Sequence, residues 1–110
     1  MIETLRATVF EGDVPGAGSG RARVLAWSAR RLVDLLRYRG RRPLHLNAPG
    51  AAEMTGQERA LAAMFAALDA DDADAALAHA QWLVPTTEAG RLVRWAQPVV
   101  ECGGGTRRAA

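Results

Sequence analysis

Between Arg21 and Arg39 the apolar side chains return at Leu25, Ala29, Leu32 and Leu36. That three- and four-residue spacing draws one stripe along an α-helix. Arg23, Arg30 and Arg37 recur every seven residues on the far side, with Asp34 among them. A helix so patterned buries its stripe only against other elements, and the rest of the chain reads as further helices.

The charge divides along the same line. Residues 21–42 hold eight arginines against Asp34, a balance of +7, while residues 43–90 hold Arg59 against seven acids, a balance of −6. One basic helix beside an acidic helical pair predicts charges that meet inside the fold or a surface for an anionic partner. The net charge of the whole chain is only +2, too small for a nucleic-acid binder that uses its entire surface. All 14 basic residues are arginine. With abundant alanine and glycine, this reads as the coding bias of a GC-rich, bacterial genome, so the argument rests on arginine position and not on arginine identity.

Proline and glycine punctuate the chain. Residues 1–10 fit a short helix through Ile2, Leu5 and Val9, and a helix is preferred to the alternation Leu5, Ala7, Val9 because a lone strand would lack a partner. Residues 11–20, with Pro15 and four glycines, form a loop. Ser19 is a candidate N-cap for the basic helix, and Gly40 ends it. Residues 43–54 connect to Thr55-Gly-Gln-Glu58, which matches a capping box. The helix it opens carries Leu61, Met64, Phe65 and Leu68 on one side. Residues 69–74 (DADDAD) form a tight turn in which Asp71 or Asp72 caps the next helix, running to about Val84. Pro85 stops that helix. Thr86 or Thr87 caps a last one with Leu92, Val93, Trp95 and Ala96, and Pro98 ends or kinks it. The expected fold is all-α, a small antiparallel bundle of four or five helices. It forms a single domain over 1–101 with a mobile tail at 102–110.

Each motif that could carry chemistry is weak. Residues 16–21 (GAGSGR) could cradle an anion on backbone N–H groups, but they lack the remaining residues of a phosphate loop. The aspartate turn has alanine where a calcium loop needs its later ligands and its glycine. His45, His79 and Cys102 are too scattered for a zinc site. Ser19 and Ser28 lie in no nucleophile motif, and Cys102 stands beside a triple glycine. The hairpin as a DNA-reading helix pair would present ADAALAHAQWLV behind four aspartates, which repels phosphate. The chain is therefore expected to be non-catalytic, without cofactor or metal. One cysteine excludes an internal disulfide, no secretion signal or membrane span is evident, and the cytoplasm is the default location.

Trp27 falls about 160–200° from the centre of its helix's apolar stripe at about 100° per residue. A second covered face is thereby expected on that helix, of the kind a homodimer supplies. The candidate contact residues are Arg23, Trp27, Arg30, Arg37, Tyr38 and Arg41. The expected role is a small interaction or regulatory protein that self-associates or binds a protein partner through the basic helix. The alternative is a nucleic acid or other polyanion held on the Arg23, Arg30 and Arg37 face.

Overall fold

The computed structural model describes residues 1–11 and 20–103. Five helices follow one another: α1 (Ile2–Glu11), α2 (Gly20–Arg39), α3 (Gly56–Asp69), α4 (Ala73–Leu83) and α5 (Thr86–Gly103). No strand occurs among the described residues, and the first segment is a helix, as its Ile2–Leu5–Val9 spacing predicts. The largest interfaces lie between α2 and α5 and within the α3–α4 hairpin; α5 also packs on α3 and α4, and α1 sits against α2 and α3.

The core follows the apolar stripes. Leu61, Met64, Phe65 and Leu68 of α3 are all buried, as are Ala29, Leu32 and Leu36 of α2. Leu25 is only half-buried, and the α2 stripe is widened instead by Val33 and Leu35. Ala29, Ala76, Ala80, Ala89 and Ala96 have no exposed surface at all. Alanine adds little burial energy, but its short side chain lets helix axes approach closely, so leucines from neighbouring helices can interdigitate.

The helix ends are closed by sequence-local devices. The Thr55 hydroxyl accepts from the Glu58 N–H at 3.1 Å, and a Glu58 carboxylate oxygen accepts from the Thr55 N–H at 2.8 Å, so both halves of the capping box form. Asp72 caps α4 through the Ala75 N–H at 3.1 Å. Asp71 takes a left-handed φ of 57°. The N–H of Asp72 reaches the Ala67 carbonyl at 2.8 Å and that of Asp71 reaches Leu68 at 3.1 Å, a Schellman closure of α3. The aspartate turn is thus the joint of a helical hairpin. At Gly40 a Cβ would run into the Leu36 carbonyl oxygen, so only glycine lets the chain leave α2 along this path.

Three expectations at helix ends need correction. Of the two outcomes expected at Pro98, ending the helix is the one overturned: Pro98 lies inside α5. The buried residues Ala96, Val99 and Val100 on either side hold the helix against the core, and this packing offsets the one backbone hydrogen bond that proline cannot donate. Neither Thr86 nor Thr87 precedes α5 as a cap, because the helix starts at Thr86 directly after Pro85. Cys102 and Gly103 belong to the last turn of α5 and not to a tail. The Ser19 cap, the glycine-rich anion loop over 16–19 and the tail from 104 lie outside the described residues.

The longest irregular segment, residues 40–55, is fastened by an ion pair that the local sequence pattern does not announce. Arg6 of α1 and Glu58 of α3 are both buried. Arg6 Nε donates to Glu58 Oε2 at 2.7 Å and Nη2 donates to Oε1 at 3.1 Å. The remaining guanidinium protons go to Glu3 at 2.6 Å, the Ala51 carbonyl at 2.9 Å and the Glu53 carbonyl at 2.8 Å. All five guanidinium donors are used. Glu58 also accepts from the backbone N–H of Asn47 at 3.0 Å and of Thr55, which fills both its oxygens. The Arg6 guanidinium holds the Glu58 carboxyl below the usual carboxylate range against the opposing effect of burial, and the Thr55 and Asn47 N–H groups push the same way. Glu3 is lowered too, first by the Gly50 N–H and also by Arg6. Gly50 itself has a φ of 84° in the Ala48–Ala51 turn, where glycine follows proline.

Candidate functional site

The basic segment separates into arginines that close helices and arginines that face outward. Arg41 Nε donates to the Gln81 carbonyl at 2.7 Å, its backbone N–H donates to Leu83 at 3.0 Å, and Arg42 Nη1 donates to Trp82 at 3.1 Å. With the Val84 N–H on Ala80 at 2.9 Å, every carbonyl in the last turn of α4 has a donor. The positive charge also sits at the negative end of the helix dipole. Arg42 lies over the Trp82 ring, 4.2 Å from its centroid. At the other end of α2, Arg21 donates to the Glu101 carbonyl at 2.8 Å and to Cys102 at 3.4 Å, closing α5. Arg41, expected as a partner contact, is therefore engaged within the fold. The basic and acidic halves meet here through backbone carbonyls. The buried ion pair of the acidic half uses Arg6, from outside the basic segment.

The outward face is built on α2 and α5. Trp27 is 55% exposed, so the second face of α2 is open in the single chain. Its ring meets Trp95 of α5 edge to face, with centroids 4.9 Å apart and planes at 87°. The Arg31 guanidinium sits 5.2 Å from the Trp27 centroid and 5.4 Å from that of Trp95, a distance at which the ring quadrupole attracts a cation. Below this cluster a groove of about 190 Å³ runs between the helices, walled by Leu35, Tyr38 and Trp95 and flanked by Arg31, Arg39, Arg91 and Asp34. Tyr38 is 76% exposed. A second groove of about 210 Å³ lies between Met1, Ile2 and the Ala62–Asp69 face of α3.

Of the expected contact residues, Trp27 and Tyr38 belong to this face. Arg30 pairs with Asp34 at 3.7 Å, the intrahelical spacing read from the sequence. Arg23 and Arg37 are exposed and make no ion pair or side-chain hydrogen bond among the described residues. Arg31, Arg39 and Arg91 were not singled out by the sequence, and Trp95 was read only as part of the apolar face of the last helix, not as a member of the contact set. The signal for the last two was available, since Arg91 and Trp95 are four apart and flank the buried Leu92 and Ala96 of α5. Ser28 on α2 is buried with its hydroxyl unpartnered among the described residues.

Glu3 and Glu58 are tied into the Arg6 clamp, not into either groove. Among the described residues no three histidine, cysteine or carboxylate side chains converge, and no helix is long and apolar enough to cross a membrane. No protein-family model, curated protein or solved structure matches this chain.

Proposed function

We propose that this chain is a non-catalytic interaction protein that associates with a second copy of itself through the outer face of α2 and α5. The observation that carries the reading is the Trp27–Arg31–Trp95 cluster, in which Trp27 and Arg31 are exposed and Trp95 is half-buried, with the exposed Tyr38 nearby. Tryptophan, tyrosine and arginine are the side chains that most often dominate binding energy at protein interfaces, and they do so as rigid, partly preassembled clusters. Val24, 45% exposed, is three residues before Trp27 and extends the apolar strip along α2. A strip of this kind on one helix is more than the scattered apolar exposure any surface carries.

The test is light scattering after size exclusion on the wild type and on Trp27→Ala. The wild type is expected to elute as a dimer and the variant as a folded monomer. An unchanged mass for Trp27→Ala would remove Trp27 from the contact and with it this reading. Polyanion binding on the same helix is the competing reading, favoured by the exposed Arg23 and Arg37, which have no ion pair among the described residues. A monomeric wild type retained on DNA in a salt-sensitive way would replace self-association with it.

A further inference from the structure

The α2–α5 groove has a definite chemistry and a size that narrows its occupant. At about 190 Å³ it falls below the roughly 300–1,000 Å³ of small-molecule sites. It has room for one or two side chains of a docked protein. Its rim carries three arginines against Asp34, and these are not equivalent. Arg31 is stacked on the tryptophans, Arg91 meets Glu88 at 3.4 Å, and Asp34 is shared with Arg30. Arg39 is exposed and has no ion pair or side-chain hydrogen bond among the described residues. A free guanidinium fork beside aromatic and leucine walls matches a carboxylate followed by an apolar side chain.

The chain presents that pair itself. Asp74, in the first turn of α4, is exposed and makes no ion pair among the described residues. Leu77, three residues on and therefore on the same helix face, is 37% exposed. The acidic balance of residues 43–90 opposes the basic balance of residues 21–42, so the encounter is electrostatically favoured. We propose that the groove receives Asp74 and Leu77 of a second copy, with the Asp74 carboxylate on Arg39 and the leucine against Leu35, Tyr38 and Trp95. In a two-fold pair each chain makes this contact once as donor and once as acceptor. The proposal rests on the self-association reading above and assigns its specificity.

Charge reversal tests it. Arg39→Asp and Asp74→Arg are each expected to weaken self-association at least about tenfold in sedimentation equilibrium. The double reversal should recover it to within about threefold, because the pair is re-formed with its ends exchanged. Both positions are on the surface, so thermal melting by circular dichroism should show all three variants folded. Singles that associate like the wild type, or a double reversal no better than either single, would overturn the pairing. If Trp27→Ala dissociates the dimer while both reversals leave it intact, self-association stands and only the Arg39–Asp74 contact falls. A wild type that is monomeric takes both down, and if it also binds polyglutamate the groove belongs to a foreign acidic partner.

Discussion

Burying an ion pair ordinarily costs about as much in lost hydration as the attraction returns. Arg6 and Glu58 differ in that the pair also serves the backbone around it. It donates to the carbonyls of Ala51 and Glu53 and accepts from the N–H groups of Asn47 and Thr55. An apolar replacement of both residues would therefore orphan three backbone groups, the Ala51 carbonyl and the N–H groups of Asn47 and Thr55, while the Glu53 carbonyl keeps the Asn47 side-chain amide at 2.8 Å; it would not be the neutral exchange seen where a pair serves only itself. Glu58→Ala removes the buried one of the guanidinium's two carboxylate partners, leaving only the exposed Glu3, and is expected to destabilise by about 3–5 kcal/mol at neutral pH in urea unfolding. The pH dependence has a fixed sign. Glu58 and Glu3 titrate lower in the folded than in the unfolded chain, so their contribution is complete above the ordinary carboxylate range. It is lost as the pH falls through the folded values, below about pH 4. The gap between wild type and Glu58→Ala should thus be constant from about pH 6 upward and narrow in acid. A gap that widened in acid would contradict the assignment.

Helix ends account for much of what the basic segment does. Arg21 of α2 caps α5, and Arg41 and Arg42, just past the end of α2, cap α4. Local spacing identifies a cap within its own helix, as it did for Thr55, Glu58 and Asp72. It is blind to a carbonyl 40 residues away. The same limit hid Arg6, which meets Glu58 across 52 residues. Glu58 was legible as half of a capping box, but its second role depends on α1 docking beside α3. Arg41→Ala and Arg42→Ala are each expected to cost about 1 kcal/mol in thermal unfolding, the usual worth of a partly exposed charge-assisted hydrogen bond at a helix C-terminus. Both should leave the self-association constant unchanged, because these side chains are turned onto α4. A dissociated dimer in either variant would return Arg41 or Arg42 to the contact surface.

Across the molecule, periodicity gave the five helices and most of the core, because apolar spacing and proline or glycine stops are local quantities. The site was half legible. Trp27 and Tyr38 stand off the apolar stripe of α2 and betray an outer face. Trp95 and Arg91 complete it only once α5 lies antiparallel to α2, with Arg21 of one beside Glu101 of the other. The account places Trp27 and Trp95 at a contact between copies and Trp82, under Arg42 on α4, outside it. Three tryptophans give three indole N–H resonances, which makes the claim directly observable in a dilution series by heteronuclear NMR. The indole signals of Trp27 and Trp95 are predicted to shift together with concentration while that of Trp82 stays fixed. Signals of Trp27 and Trp95 that hold still across the series, or a shift confined to Trp82, would contradict the account.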